Sequence, residues 1–195
     1  MVKRNLLNLW QVSVKLLVCV ILFTSIGLSS LSVTPASASI NDDRYEGNIF
    51  ILFAGNGSLV PPKMNLQETL QREMPAILVF YVDDSSDCKQ YATIVSRMQE
   101  FYGRAANIIP VSVDSLPSLK KSDYSKQEAG YYYDGVVPQT VILDQKGKVV
   151  LNKQGQIAYE TVDDVLRKVF DLLPRSESTT LKKRSFNEFN SELTN

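Results

Sequence analysis

The chain contains no histidine. That absence removes histidine-based zinc sites, Ser-His-Asp triads and Cys-His nucleophile pairs in one step. Cysteine is scarce too: only Cys19 and Cys88 occur in 195 residues. Cys19 lies in an apolar N-terminal stretch, which leaves Cys88 as the one thiol of the remaining chain. No disulfide can then form within that remainder, and a lone thiol in an exported protein stands out. Net charge is also lacking, since 21 basic side chains are matched by 21 acidic ones. Nucleic-acid binding needs a basic surface, and this composition does not supply one. The glycines before Lys63 lack the Gly-Lys-Ser/Thr ending of a phosphate loop. Asp83 and Asp84 could attract a divalent cation, but two carboxylates in a turn are more simply solvated. No metal and no cofactor is expected.

Charge is unevenly placed. Lys3, Arg4 and Lys15 are the only charged residues among the first 38. An apolar run from Leu16 to Leu28 follows, and then Ala36-Ser37-Ala38. A basic start, an apolar stretch of signal-peptide length and an A-x-A site predict cleavage before Ser39. The competing reading is an uncleaved membrane anchor, because weakly apolar residues continue to Val33. Either way the positive end stays inside, and residues from about 39 onward face an extracytoplasmic compartment. The expected organisation is a signal peptide or anchor over 1–38, a linker over 39–47, one domain over 48–174 and a polar tail over 175–195.

Within the domain, periodicity predicts alternating elements. Asn48 to Ala54 is a β-rich run closed by Gly55-Asn56-Gly57. Asn65 with Glu68 forms a capping-box pattern that opens a helix running to about Glu73. Ala76 to Val82 is continuously apolar, as for a strand buried on both faces. A helix is expected from about Cys88 to Tyr102, with Cys88, Tyr91, Ala92, Val95, Met98 and Tyr102 on one face. Ile108 to Asp114 reads as a strand, and Tyr124 to Gly130 as a helical turn or two. Thr140 to Leu143 and Lys148 to Leu151 form a hairpin about Asp144-Gln145-Lys146-Gly147. Val162, Val165, Leu166, Val169, Phe170 and Leu173 form the stripe of a last helix, ended by Pro174. Asp163 and Asp164 would supply negative charge near the start of that helix. In the tail, Leu181 to Arg184 with Phe186, Phe189 and Leu193 could make a short amphipathic helix, although disorder suits the composition better. The order β, α, β, α, β, α, β, β, α describes an α/β fold, a mixed central sheet flanked by helices.

Three landmarks occur in that order. Ser85-Ser86-Asp87-Cys88-Lys89 follows a buried strand and opens a helix. Val137-Pro138-Gln139-Thr140 precedes another strand. A hairpin with a Lys-Gly turn and a final amphipathic helix come last. Together they resemble the thioredoxin fold over roughly residues 48 to 173, with Ser85 where thioredoxins carry the first cysteine of Cys-x-x-Cys. A narrower resemblance runs through Phe101-Tyr102-Gly103-Arg104-Ala105-Ala106, Gly130-Tyr131-Tyr132-Tyr133-Asp134-Gly135, Leu172 to Ser178, and Asn187-Glu188-Phe189-Asn190. These segments are similar to the cyanobacterial thioredoxin-like thylakoid membrane proteins described as photosystem I accumulation factors. That resemblance implies a thylakoid location with the domain on the lumenal side, and a role in photosystem I assembly or maintenance. The partner it implies is a photosystem I subunit or assembly factor, with the thylakoid membrane close by.

Dithiol exchange needs an exposed nucleophilic thiol at the helix start and a second thiol to resolve the mixed disulfide. Only the second position is filled, by Cys88. A serine hydroxyl is not acidic enough to replace the first thiol, and no histidine can serve as its base. Asp84 and Asp87 disfavour a thiolate at Cys88, and Lys89 partly offsets them. The simplest reading of Cys88 is a small apolar residue facing inward. The expected function is therefore binding, through Ser85, Ser86, Asp87, Cys88, Tyr132, Val137 and Pro138, with Val137 able to pair with an extended peptide. The alternatives are a redox-active monothiol at Cys88 and a structural protein that interacts through its tail.

Overall fold

The computed structural model describes residues 15–18, 20 and 38–178. The chain divides into two compact units, Met1–Ala38 and Ser39–Asn195. In the first, residues 15–18 and 20 are helical and exposed. No helix among the described residues is long and apolar enough to cross a membrane. The rest of the expected signal or anchor, and the possible helix over Leu181 to Leu193, lie outside the described residues.

The second unit is built on strands β1 (Ala76–Tyr81), β2 (Asn107–Ser112), β3 (Gln139–Leu143) and β4 (Val149–Gln154). They form one sheet in the order β2-β1-β3-β4. β2 is parallel to β1, whereas β3 is antiparallel to both β1 and β4. β1 is buried at every position, as its unbroken apolar run requires. Ile77, Val79 and Tyr81 face one core with α1 (Ile49–Leu52), α3 (Ser86–Tyr102) and α4 (Tyr159–Val169). Ala76, Leu78 and Phe80 face the other with α2 (Leu66–Gln71) and Tyr132. A mixed sheet with helices on both faces is the thioredoxin-like architecture that the element order anticipates.

The beginning of the domain differs from expectation. Asn48 to Ala54 does not form a strand; its centre is the short helix α1, and no strand precedes Ala76 among the described residues. Capping by one neighbouring and one distant side chain explains the change. The Asn48 side chain accepts the Phe50 N–H at 3.1 Å, and Asp83 Oδ1 accepts the Ile49 N–H at 2.9 Å. The adjacent pair Ile49 and Phe50 is buried together, which a helical turn permits and an alternating strand does not. Tertiary burial and the cap thus override the β preference of Ile and Phe. β2 is left as an outer strand, where Pro110 is tolerated because an edge need not use every N–H.

Other elements follow the sequence closely. α2 carries the full Asn65–Glu68 capping box. In the hairpin turn, Asp144 Oδ1 accepts the N–H groups of Lys146 and Lys148, both at 2.9 Å. Gly147 adopts φ +72°, which favours glycine at the turn. The helical turn expected over Tyr124 to Gly130 is displaced: 3-10 segments lie to either side, at Lys121–Asp123 and Ala129–Tyr132, and 124–128 is not helical. Gly130 lies directly against the Tyr124 ring, where a Cβ would collide. α4 ends sooner than its apolar stripe suggested. Asp171 takes φ 53°, and Leu172 and Leu173 are 51% and 62% exposed.

Candidate functional site

The end of β1 delivers the chain into the turn before α3. Ser85 is the N-cap of α3, its hydroxyl accepting the Cys88 N–H at 3.4 Å. The hydroxyl thus performs a capping role at the position where a thioredoxin has its nucleophile. The Ser86 N–H donates to Asp43 Oδ1 at 2.7 Å. Asp87 Oδ1 accepts from Gln156 Nε2 at 2.9 Å, which ties the loop after β4 to the helix start. Cys88 turns inward and is 1% exposed. Burial pushes its thiol above the usual cysteine value, opposed by hydrogen bonds with Val82 and Ser85 and reinforced by the negative charge of Asp87 and Asp84. The inward reading of this residue is what the structure displays.

Lys89 does not serve the thiol as expected. Its side chain is 0% exposed, and Nζ points to the segment before α1. It donates to Ser39 O at 3.0 Å, Asp42 O at 2.9 Å, Asp42 Oδ1 at 3.1 Å and Glu46 Oε2 at 3.4 Å. The residues read as a linker are therefore bound to the domain. Asp83 is likewise committed, because it caps α1 at Ile49. Burial raises the Asp83 carboxyl above its ordinary value, with the Ile49 N–H opposing. No cluster of metal-ligating side chains occurs among the described residues.

Val137–Pro138 is a cis peptide bond. The register pairs Phe80 with Gln139, which brings the start of β3 beside the end of β1. Val137 and Pro138 therefore stand at the same end of the sheet as the Ser85–Cys88 turn. Pro138 is buried, and its carbonyl accepts the Gly155 N–H at 2.7 Å. Val137 is partly buried and packs against both cores. Ser85, Ser86, Asp87 and Val137 thus offer surface at this end, while Cys88 and Pro138 lie beneath it.

Tyr132 does not join that surface. It is 8% exposed and closes the second core, and its hydroxyl donates to Lys126 O at 2.9 Å. Its carbonyl accepts from Gln139 Nε2 at 2.8 Å. The more accessible neighbour is Tyr133, whose ring lies 5.2 Å from that of Phe80. Three successive tyrosines do divide between core and surface, but the middle one is the core residue.

A groove of about 750 Å³ lies at the other end of α3, between α3 and α4. Asp163 forms its floor rather than a solvated charge near the start of α4. The carboxylate accepts from the Tyr102 hydroxyl at 2.5 Å, the Tyr159 hydroxyl at 3.5 Å and Arg167 Nε at 2.8 Å. Burial alone would raise its pKa, but the hydrogen bonds from Tyr102 and Arg167 and the charges of Arg167 and Arg175 hold it below the usual value. The same burial, with the Asp163 charge, pushes Tyr159 up to about 12. Arg97 stacks over the Tyr159 ring at 4.2 Å. No sequence motif announces this network; its one signal is the spacing of Asp163 and Arg167, which are four residues apart on a helix.

The family model described as "TraF: F plasmid transfer operon protein" matches residues 66–166. The thylakoid membrane protein slr1796 of Synechocystis sp. (strain ATCC 27184 / PCC 6803 / Kazusa) is 65% identical over 158 residues, covering 81% of this chain and 78% of that protein. Among solved structures, one titled "Structure of a malarial protein" aligns at TM-score 0.40 and 18% identity, over 49% of this chain and 96% of that one. The pneumococcal exposed lipoprotein thioredoxin Etrx1 from Streptococcus pneumoniae strain TIGR4 aligns at TM-score 0.39 and 16% identity, over 53% and 90%. The chain belongs to the thioredoxin-like TraF family and is a relative of the Synechocystis thylakoid membrane protein.

Proposed function

We propose that this protein is a non-catalytic thioredoxin-like factor on the lumenal side of the thylakoid membrane. It supports the assembly or accumulation of photosystem I by holding a subunit or assembly partner. The observation that carries the binding reading is the conversion of the helix start from a reactive site into a capped one. Ser85 is engaged with the Cys88 N–H, and the Cys88 thiol is buried with its pKa raised. A thiol that is neither exposed nor acidic is a poor nucleophile, which counts against the monothiol alternative. What this end of the sheet retains is shape: the first turn of α3, whose Ser86 amide is met by Asp43, and the Val137 main chain, which makes no backbone hydrogen bond among the described residues. An extended peptide could add to that main chain without any cysteine chemistry.

The thylakoid location is supported by the name of the 65% identical relative. The photosystem I role rests on the resemblance carried by segments such as Gly130 to Gly135. Affinity capture from thylakoids tests the interface. The wild-type protein is expected to retain a photosystem I component, and Pro138→Ala is expected to lose it by disturbing the loop that presents Val137. Full retention by Pro138→Ala would move the interface away from this end of the sheet.

A further inference from the structure

Residues 39–46 form a strap across the start of α3. None of its side chains belongs to either apolar core, and Tyr45 is 73% exposed. Polar interactions hold it instead. Asp43 Oδ1 takes the Ser86 N–H at 2.7 Å. Asp42 and Glu46 supply carboxylates to Lys89 Nζ, together with the carbonyls of Ser39 and Asp42. Glu46 also accepts the Ser39 N–H, which closes the strap on itself. Asn41 meets Gln90 at 3.5 Å on the outer side. The neighbouring helix α1 is anchored differently, with Ile49 and Phe50 in the core. The strap thus fills two positions that attract anions, the first-turn amide of α3 and the ammonium below it.

We propose that the strap is an internal occupant of the Ser85–Lys89 surface, displaced when a protein partner offers an extended acidic segment that places its own carboxylates on the Ser86 amide and Lys89. The inference rests on the reading of this surface as a binding site. Exchange between two segments of the same chemistry costs little, because the incoming carboxylates and carbonyls replace those that the strap withdraws from the Ser86 amide and Lys89. A neutral or basic segment would leave Lys89 without an anion and is rejected. The strap is tethered and holds a high effective concentration, so a partner succeeds only when it is concentrated or itself held nearby.

Amide hydrogen exchange on the wild-type full chain tests whether the strap opens by itself. The Ser86 amide is expected to exchange at least ~100-fold faster than the amides of Leu78 and Val79, which open only with the core. Equal rates would make the strap a fixed part of the fold and overturn the proposal. The second measurement uses a peptide of residues 39–47 added in trans to the full chain carrying Asp42→Asn, Asp43→Asn and Glu46→Gln. It is expected to bind at least ~tenfold tighter than to the wild type, where the tethered strap competes. Adding Lys89→Met is expected to remove that gain. Equal binding to wild type, or a gain that survives Lys89→Met, would overturn the proposal. Neither measurement involves a thylakoid partner. Strap exchange without partner capture would defeat the functional reading alone; capture by a chain with a fixed strap would defeat this inference alone.

Discussion

The two ends of α3 carry opposite arrangements of charge. The helix has 17 residues, which separates its ends by about 25 Å. At the N-terminal end, Ser85 caps the helix and Cys88 is sealed below the surface. The charges that meet the Ser86 amide and Lys89 there belong to a strap that contributes nothing to the apolar cores. At the C-terminal end, Tyr102 donates to the buried carboxylate of Asp163, which joins α3 to α4. Arg175, beyond α4, bonds Asp164 at 2.6 Å and the Glu160 carbonyl at 3.3 Å. On the binding account proposed above, the difference separates stability from function. The buried network fastens helices together, whereas the capped end presents a polar surface covered by the strap.

The largest effect should come from the buried network. Asp163→Ala leaves two tyrosine hydroxyls and the Arg167 Nε–H without their acceptor, and should cost about 3 kcal/mol in urea unfolding. A loss below about 1 kcal/mol would make the two ends energetically alike. The acid side of the stability profile sharpens the same point. The native Asp163 carboxyl lies below its usual value, so its contribution is complete above about pH 4 and disappears as pH falls through the native value. Asp163→Asn should flatten that part of the profile. At alkaline pH the sign reverses. Tyr102 and Tyr159 are both raised above 10.0, so the folded state keeps protons that the unfolded state loses, and stability should fall as pH rises beyond about 10.

Smaller effects are expected at the helix start. Ser85→Ala removes the cap and should cost about 1 kcal/mol, whereas Ser85→Asp should largely preserve stability because aspartate also caps. Failure of Ser85→Asp to do so would point to a role for the serine beyond its hydrogen bond. The smallest effect is expected at Arg97, which is half-exposed over Tyr159 and 4.0 Å from Glu160. Arg97→Ala should cost about 0.5 kcal/mol, less at high salt.

The sequence exposes elements whose signal is local or strongly periodic. β1 is an unbroken apolar run and α3 an unambiguous stripe; the hairpin is set by Asp144 and Gly147. Each matches the structure within a residue or two at most boundaries. The failures share one physical cause, partners distant in the chain. Ile49 and Phe50 have strand-like side chains, but Asp83 caps them as a helix from 34 residues away. Lys89 looks like a companion of Cys88, yet its anions lie in the strap, 43 and 47 residues earlier. Asp163 resembles a simple helix-start charge until Tyr102, 61 residues upstream, meets it. Tyr132 could not be told from Tyr131 and Tyr133 without knowing which ring the second core encloses. The substitution at the site was legible as Ser85 itself; that its hydroxyl caps the helix required the structure.

The most direct test of the binding account replaces the thiol and leaves the surface alone. A cyanobacterium carrying Cys88→Ala in place of the wild-type chain should accumulate photosystem I to the normal level, because the thiol is buried and only a small apolar volume is altered. Loss of photosystem I in that strain, with the protein present and folded, would contradict the account and return the function to the chemistry of Cys88.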